Sequence, residues 1–148
     1  FDMEYRKAAP LDISALIMLL VSAHQETELE VSPINSEKAI STISDVIHRG
    51  VSFVAVTDNN TIAGSIGGGT ITDWWSTKPV LSDYWFYVPK EHRNSDIAMQ
   101  LVKRFIEAGK EAKVSIQLGH ILSGDVDRKD HLFERLGFVK AGSTFLEK

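Results

Sequence analysis

The sequence predicts one α/β (α+β) domain in which a mixed, twisted sheet carries helices on both faces. Two kinds of pattern support this class. Apolar residues recur at helical spacing in four segments, and runs rich in β-branched and aromatic residues lie between them. The chain has 148 residues, the usual length of one domain, and no internal repeat or low-complexity linker divides it. We therefore expect a single domain over residues 1–148.

The first elements of the chain are expected to be a strand and two helices. The strand lies within Met3 to Lys7, and a helix follows from about Ile13 to Gln25 with Asp12 as its N-cap. Ser36 opens a second helical pattern, which Gly50 ends. The polar stretch between the two helices is expected to be a loop.

A β-hairpin is predicted next. The segments VSFVAVTD and TIAGSIGGGTIT are β-prone and are separated by Asn-Asn, which is typical of a hairpin. The glycine-rich part, Gly64 to Thr70, lacks the Gly-Lys-Ser/Thr ending of a phosphate loop, and no helix follows it. We interpret it as a twisted or bulged strand beside a ligand.

The second half of the chain is expected to alternate strands and helices. The run VLSDYWFYV is strongly β-prone and ends at Pro89, and a helix then runs from Ser95 to about Lys110. KVSIQLGHI is expected to be a buried strand, a short polar helix ends at Gly137, and FVKAGSTFLEK can supply one or two final strands. A hairpin half followed by a β-α-β crossover predicts a mixed sheet.

Composition excludes several classes of site. The chain contains no Cys, which removes disulfides, thiolate metal sites and a Cys nucleophile, and its five His residues show no metal-ligand spacing. The formal charge of -4 is spread over both halves, so we expect no nucleic-acid partner. The longest apolar run, Ala15 to Val21, is too short to span a bilayer. We expect a cytoplasmic protein with no metal and no membrane contact.

The start of the helix near Ser95 is a candidate anion site. A helix N-terminus leaves backbone N–H groups without partners and carries partial positive charge, which suits a phosphate. Arg93 and Asn94 precede it and could reach a phosphate directly. Asp96 adds negative charge in the first turn, and the alternative interpretation is that this acid only favours its own helix dipole.

Two motifs resemble those of the GCN5-related N-acetyltransferase (GNAT) family, and the resemblance covers nearly the whole chain. In YVPKEHRNSDIA, Val88 and Pro89 match the end of a family strand, Arg93 and Ala98 match the R/Q-x-x-G-x-G/A segment, and Asp96 replaces a Gly. FERLGF matches the family's aromatic-x-x-x-Gly-Phe signature. The resemblance implies a mostly antiparallel sheet of six or seven strands with a splayed central parallel pair. It also implies acetyl-coenzyme A as the cofactor.

The resemblance further implies how acetyl-coenzyme A is held. The thioester would lie between splayed strands at Leu81–Val88 and Val114–Ile121, with the pyrophosphate at the start of the central helix. Phe133 stands where the family often has a Tyr acid, and without a hydroxyl it is expected to pack in the core or against the cofactor. The implied cofactor-binding residues are Phe86, Tyr87, Val88, Arg93, Asn94, Ser95, Asp96, Ile97, Ala98 and Phe133.

Acetyl transfer to an amine needs a neutral nucleophile, a donor near the thioester oxygen and an acid for the departing thiolate. By resemblance, the Val88 amide is the implied donor. Asp83 is a candidate base, and the alternative is a solvated residue on the polar face of its strand. His120 is a second candidate base because an unperturbed His titrates near neutral pH, although a lone His at a strand end is more often a surface residue.

The acceptor is expected to be an amine of a small molecule or peptide. Trp74 and Trp75 stand in a connection that borders the acceptor pocket in the family, and Tyr84 is a third aromatic candidate; the alternative for the Trp pair is packing on the core and a sheet edge. Nearby acids would suit a cationic amine: Glu26, Glu28, Glu30, Asp73 and Asp83. The alternative function is a catalytically impaired binding or regulatory module. An exposed Trp pair or the C-terminal strands could support a homodimer.

Overall fold

The computed structural model describes residues 3–93, 95–119 and 126–148. These residues form the strands β1 (Glu4–Lys7), β2 (Val51–Val56), β3 (Ile62–Thr72), β4 (Pro79–Tyr87) and β5 (Ser115–Gln117), and the helices α1 (Ile13–Glu26), α2 (Ser36–Arg49), α3 (Ile97–Glu111) and α4 (Val126–Arg135). Short 3-10 turns, Pro10–Asp12 and Lys90–His92, precede α1 and α3. The predicted order of elements is confirmed as far as the last helix.

Local sequence explains how the first two helices begin. Asn35 is the N-cap of α2, because its Oδ1 accepts a hydrogen bond from the Lys38 amide at 2.9 Å. Asp12 precedes α1 as expected, but its carboxylate does not cap the helix. It accepts hydrogen bonds from Arg6 at 2.7 and 3.0 Å and from the Ala9 amide at 2.7 Å. Asp12 therefore joins the start of α1 to β1.

The described sheet has the strand order β1-β2-β3-β4-β5, with antiparallel pairs throughout except for the parallel pair β4–β5. The mixed, mostly antiparallel sheet is thus confirmed, with five strands instead of six or seven. The prediction of final strands was wrong for residues 138–148, which form no strand. Their apolar side chains Val139 and Phe145 are 87% and 91% exposed, so the tail buries little that would hold it against β5.

Helices cover both faces of the sheet, as predicted. On one face, Leu101, Val102 and Phe105 of α3 are fully buried in a cluster with residues of β2, β3 and β4. On the other face, Leu16 of α1 and Ile43 of α2 pack in a second cluster with β2. The alternation of side chains along the strands feeds both clusters, which places β4 between two helical layers.

A bulge interrupts β4 opposite the glycine-rich part of β3. Gly67 pairs with Trp85 and Gly68 pairs with Asp83, which leaves Tyr84 as the extra residue. A Cβ atom at Gly67 would overlap the Trp85 ring, and one at Gly68 would overlap the backbone of β4. The glycine-rich segment is a strand beside a bulge, as predicted in part, but the extra residue lies on β4 and not within Gly64–Thr70. Glycine fits at Gly67 and Gly68 because the Trp85 ring and the β4 backbone leave no room for a Cβ atom.

β5 separates from β4 just before this bulge. The parallel pairing ends at Ser82 and Gln117, after which the Gly119 amide donates to the Asp83 carboxylate at 2.8 Å. Beyond this point β4 continues through Tyr84–Tyr87 with β3 on one side and no paired strand of the described residues on the other. The parallel pair therefore splays as expected, but it lies at one edge of the described sheet and not at its centre.

Candidate functional site

A cavity of about 450 Å³ lies where β4 and β5 separate. Side chains from α1 and α2 form an aliphatic wall: Leu16, Leu19, Leu20, Ala23, Ala39 and Ile43. The opposite wall is β4 from Asp83 to Tyr87, and Thr42, Gly119, Lys129 and Thr144 complete the described lining. The cavity is therefore apolar on its helical side and carries its titratable groups on its strand side.

Asp83, the predicted base, lines this cavity. Its Oδ1 accepts the Gly119 amide, so the carboxylate spans the gap between β4 and the end of β5. The bulge at Tyr84 places the two residues that follow Asp83 along the cavity. A base at Asp83 stays a prediction, and it now has a definite position at the mouth of the gap.

Lys129 of α4 enters the same cavity and was missed by the sequence analysis. Its Nζ donates a hydrogen bond to the Phe86 carbonyl at 2.7 Å and lies 4.9 Å from the centre of the Phe86 ring. Burial lowers the pKa of the Lys129 ammonium to about 8; Asp83 and Glu26 oppose this shift, whereas Arg93 adds to it. An amine that titrates near neutral pH thus occupies the gap left by β5.

A helical spacing in the sequence could have identified Lys129. It precedes Phe133 by four residues, so both side chains lie on one face of α4. Phe133 is 8% exposed, belongs to the core and has its ring centre 6.0 Å from that of Phe86. The expectation of a packing role for Phe133 is met by the core, and the same helical face directs Lys129 to Phe86.

Arg93, the predicted phosphate contact, is turned toward α1. Its Nε donates to the Val88 carbonyl at 2.9 Å, and its two terminal nitrogens donate to the two carboxylate oxygens of Glu26 at 2.5 and 2.8 Å. The guanidinium also lies 5.5 Å from the centre of the Tyr87 ring. Arg93 therefore clamps the end of β4 to the last turn of α1. A phosphate contact from Arg93 stays a prediction.

The surroundings of this clamp change the titration of its members. The hydrogen bond from Arg93 holds the pKa of Glu26 below its usual value of 4.5, although burial opposes this. Burial, together with the hydrogen bond to Glu26, raises the pKa of Tyr87 to about 12. Glu26 was expected to add negative charge for an amine substrate, but Arg93 neutralises that charge.

The start of α3 leaves the Asp96 side chain outside the predicted anion site. Asp96 is exposed and makes no side-chain hydrogen bond to the first amides of α3. Its Oδ2 instead accepts from Gln100 at 3.4 Å, one turn into the helix. Ser95 Oγ donates to the His92 carbonyl at 2.7 Å and accepts weakly from the Ile97 amide at 3.4 Å. The acid therefore flanks the helix instead of covering its N-terminus.

The other predicted cofactor residues flank this turn. Phe86, Tyr87 and Val88 are buried at the end of β4. Ile97 is buried and Ala98 is half-buried at the start of α3. The structure thus brings the end of β4 and the start of α3 together. The role of the Val88 amide toward a thioester stays a prediction.

The three predicted substrate aromatics divide into two sites. Tyr84 lines the cavity at the bulge and is 50% exposed. Trp74 and Trp75 pack edge to face at 5.6 Å, are 93% and 67% exposed, and are not among the residues that line the cavity. Their contact with a substrate stays a prediction, and the alternative that one of them packs in the core was wrong.

Two predicted site residues, His120 and Asn94, lie outside the described residues. Within residues 3–93, 95–119 and 126–148, no three His, Cys, Asp or Glu side chains group as metal ligands would. No helix in this part of the chain is long and apolar enough to cross a membrane.

Comparisons with known proteins agree with this fold. A family model described as an acetyltransferase (GNAT) domain matches residues 48–140. No functionally curated protein sequence matches the chain. Among solved structures, a predicted acetyltransferase from Clostridium acetobutylicum, crystallised with acetyl-CoA, superposes with a TM-score of 0.79 at 18% identity, over 99% of this chain and 96% of that one.

Two further structures with named activities are also similar. An aminoglycoside 6'-N-acetyltransferase from Acinetobacter baumannii superposes with a TM-score of 0.74 at 17% identity, over 99% of this chain and 97% of that one. A ribosomal-protein-alanine N-acetyltransferase from Brucella melitensis biovar Abortus gives 0.71 at 14% identity, over 100% and 99% of the two chains. At these identities the likeness shows the fold.

Proposed function

The chain belongs to the GNAT acetyltransferase family, and on that premise we propose that it moves an acetyl group from acetyl-coenzyme A to an amine of a small molecule or peptide. The amine attacks directly while both substrates are bound. The observation that carries the proposal is the cavity at the separation of β4 and β5. This cavity is large enough for a small amine, and one of its walls is the segment of β4 that has no paired strand of the described residues on one side.

Two features of this chain fit acetyl-coenzyme A. The first is the unpaired side of β4 at Phe86, Tyr87 and Val88, whose backbone groups would hold the pantetheine arm. The second is the start of α3, where Asp96 makes no side-chain bond to the amides that would face the pyrophosphate. Acetyl-coenzyme A would supply a thioester whose carbonyl oxygen gains negative charge during attack. The Val88 amide is the proposed donor to that oxygen.

The lining of the cavity favours an amine that carries an apolar group. Six aliphatic side chains from α1 and α2 form one wall, whereas Asp83 is the only carboxylate among the described residues that line the cavity. A single carboxylate suits one ammonium group, and the wall suits an aliphatic or aromatic body. A polycation would leave most of its charges without partners. The proposed acceptor is therefore a monoamine with an apolar body.

Asp83 is the proposed base for this acceptor. A bound ammonium must lose a proton before its nitrogen can attack, and the Asp83 carboxylate is placed to accept it directly or through one water. His120 remains the second candidate. Asp83→Asn should lower kcat/KM by about 100-fold, and Asp58→Asn, in the exposed β2–β3 turn, is the matched control that should leave it unchanged.

Substrate profiling tests the acceptor class. Thiol release from acetyl-coenzyme A is measured with primary alkylamines of increasing chain length, with arylalkylamines and with aminoglycosides. Each added methylene should lower KM about fourfold until the wall is filled, because burying one CH₂ contributes about 0.8 kcal/mol. A KM that ignores chain length, or a clear preference for aminoglycosides, would contradict the apolar acceptor.

The alternative function is a binding or regulatory module that has lost catalysis. The absence of a hydroxyl at Phe133 favours it, because that side chain cannot give a proton to a thiolate. Calorimetry with acetyl-coenzyme A separates the two functions when combined with the thiol assay. Binding without thiol release for any amine would favour the module, and an absence of acetyl-coenzyme A binding would contradict the transferase.

A further inference from the structure

The departing coenzyme A needs an acid, and the described lining of the cavity offers few. Transfer from a thioester to an amine expels a thiolate, and an acid that protonates the sulfur as the C–S bond breaks assists its departure. The titratable side chains of the described lining are Asp83, Tyr84, Tyr87 and Lys129. The position and partners of each decide whether it can supply that proton.

Three of these side chains are less suited to this step by their partners or position. The Asp83 carboxylate accepts the Gly119 amide and is already the proposed base for the attacking amine. The pKa of Tyr87 is raised to about 12 by burial and by its hydrogen bond to Glu26, so its proton is held tightly. The Tyr84 hydroxyl lies against Gly69 of β3, and its side chain is half exposed to solvent. The ammonium of Lys129 is the group that remains.

We propose that Lys129 is the acid that protonates the departing thiolate. This rests on the proposed function. The amine nitrogen forms a bond to the thioester carbonyl carbon as the C–S bond breaks, and the sulfur takes a proton from Lys129 Nζ. The attacking nitrogen gives up its protons to Asp83 or to water. Before the next turnover Asp83 releases its proton to solvent and Lys129 is reprotonated from solvent, so the thioester and the amine become an amide and the thiol of coenzyme A.

The geometry holds the ammonium where the thioester is expected. Lys129 Nζ donates to the Phe86 carbonyl, on the segment of β4 that β5 has left. One turn further along α4, Phe133 packs on the Phe86 ring and fixes the helix against β4. The side chain thus starts from a buried anchor and ends at the same strand positions that would hold the pantetheine arm.

The charges around Lys129 suit an acid. Burial favours the neutral amine, and the Arg93 guanidinium acts in the same direction, while the Asp83 and Glu26 carboxylates favour the ammonium. The result is a pKa of about 8, close to that of an ordinary thiol, so proton transfer to sulfur is nearly balanced in free energy. At neutral pH most Lys129 side chains still carry the proton that the reaction needs.

The sign of the pH dependence follows from this assignment. An acid must be protonated, so kcat/KM should fall as pH rises through about 8, the pKa of Lys129. Deprotonation of the acceptor amine acts in the opposite direction, because it increases the fraction of nucleophile. The two effects together give a bell-shaped pH dependence of kcat/KM, and the deprotonation of Lys129 causes the decrease on its alkaline side.

Two variants and one control test the assignment. Lys129→Met removes the charge and the proton, while Lys129→Arg keeps the charge on a group that does not titrate near neutral pH. Both should lose about 100-fold in kcat and should lose the alkaline side of the pH profile, with acetyl-coenzyme A affinity measured separately by calorimetry. Lys103→Met, on the exposed side of α3, should keep the rate and the profile of the wild type.

A change of leaving group provides a second measurement. The variants are compared with the wild type on an acetyl thioester of a more acidic aryl thiol, which departs without needing a proton. With this donor, the factor by which Lys129→Met lowers kcat should be at least about tenfold smaller, because an acidic thiol departs without help from an acid. If Lys129 had a purely structural role, Lys129→Met would lower the rate with both acetyl donors by the same factor.

The outcomes separate the two proposals. Equal losses of rate with both donors would overturn the role of Lys129, as would a decrease of kcat/KM at alkaline pH that persists in Lys129→Met. Turnover by the wild type would still support the proposed function. An inactive wild type that still binds acetyl-coenzyme A would overturn the proposed function. If Lys129→Met does not fold, the pH dependence of the wild type tests the assignment by itself. A wild-type turnover that does not decrease above pH 8 would overturn the role of Lys129.

Discussion

Two cations flank the end of β4, and they differ in what faces them. Arg93 meets a carboxylate with matched geometry, since its terminal nitrogens bond both oxygens of Glu26. Lys129 meets a single backbone carbonyl and an aromatic ring. The first arrangement satisfies a charge, and the second leaves a charge poorly compensated. Arg93 therefore stabilises the fold. The desolvated ammonium of Lys129 lowers the stability of the fold, and this amine can exchange a proton near neutral pH.

This contrast matches a general division between structural and functional charges. A buried pair with good geometry resists titration, while a desolvated amine with weak partners titrates near neutral pH. The two cations lie within reach of the same strand. Burial lowers the pKa of Lys129, and no carboxylate bonded directly to its ammonium among the described residues offsets this, whereas Arg93 is bonded directly to Glu26. Five measurements can break or sharpen the comparison.

The largest effect is expected for Glu26→Gln. It leaves the Arg93 charge without its carboxylate at a site where Glu26 is 8% and Arg93 22% exposed, and should lower the free energy of unfolding by about 3 kcal/mol. The matched control is Asp45→Asn, which removes an exposed i,i+4 pair with Arg49 and should cost no more than about 0.5 kcal/mol. Urea unfolding of both variants at neutral pH makes the comparison.

The pH dependence of the same pair gives an independent check. The pKa of Glu26 is depressed in the fold below its usual 4.5, so its stabilisation is fully present above that value and is lost as pH falls through the lower folded pKa. The stability difference between the wild type and Glu26→Gln should therefore narrow below about pH 4. A difference that stays constant down to acid unfolding would show that Arg93 is not the partner that matters.

Lys129→Met should change the free energy of unfolding in the opposite direction to Glu26→Gln. The pKa of Lys129 falls from 10.5 to about 8 on folding, so the unfolded chain binds more protons between these values and wild-type stability should rise with pH there. We expect a rise of about 1–3 kcal/mol in the wild type and none in Lys129→Met, which should be the more stable protein at neutral pH. Denaturant unfolding at pH 7 and pH 10 measures both, with Lys103→Met as the control that retains the rise.

Tyr87→Phe removes the third member of the clamp and should cost about 1 kcal/mol, the usual contribution of one hydrogen bond. The Arg93–Glu26 pair remains, so the loss should be well below that of Glu26→Gln. Tyr84→Phe, whose hydroxyl is near the surface at the bulge, should stay within about 0.5 kcal/mol. Equal losses in the two variants would show that the Tyr87 hydroxyl adds nothing to the clamp.

The smallest effect is expected for Asp96→Gly. Asp96 is exposed and its carboxylate is directed to Gln100, so removing its charge should tighten acetyl-coenzyme A binding by less than about fivefold. Calorimetric titration of the variant against the wild type measures this. A gain of a hundredfold or more would mean that the acid covers the anion site in solution.

Much of the fold follows from short-range pattern. Apolar periodicity placed α1, α2 and α3 within a residue or two, and the Gly64–Thr70 run indicated the bulge because only glycine permits so close an approach of two strands. The end of β4 and the FERLGF segment carried the family resemblance. Two predictions of elements were wrong. The C-terminal tail was predicted as strand from its β-prone composition but does not pair with the sheet. KVSIQLGHI was predicted as a buried strand, but in its described part only Ser115–Gln117 is strand, and these side chains are exposed or half-buried.

The partners of the site residues could not be derived in this way. Arg93 finds Glu26 at a separation of 67 residues, and Lys129 finds the Phe86 carbonyl at a separation of 43. Local sequence sets the period, the caps and the turns of each element, because these depend on neighbours within a few residues. Which charge meets which depends on how helices pack across a twisted sheet. Packing therefore made Arg93 a clamp and Lys129 a half-buried, titratable amine.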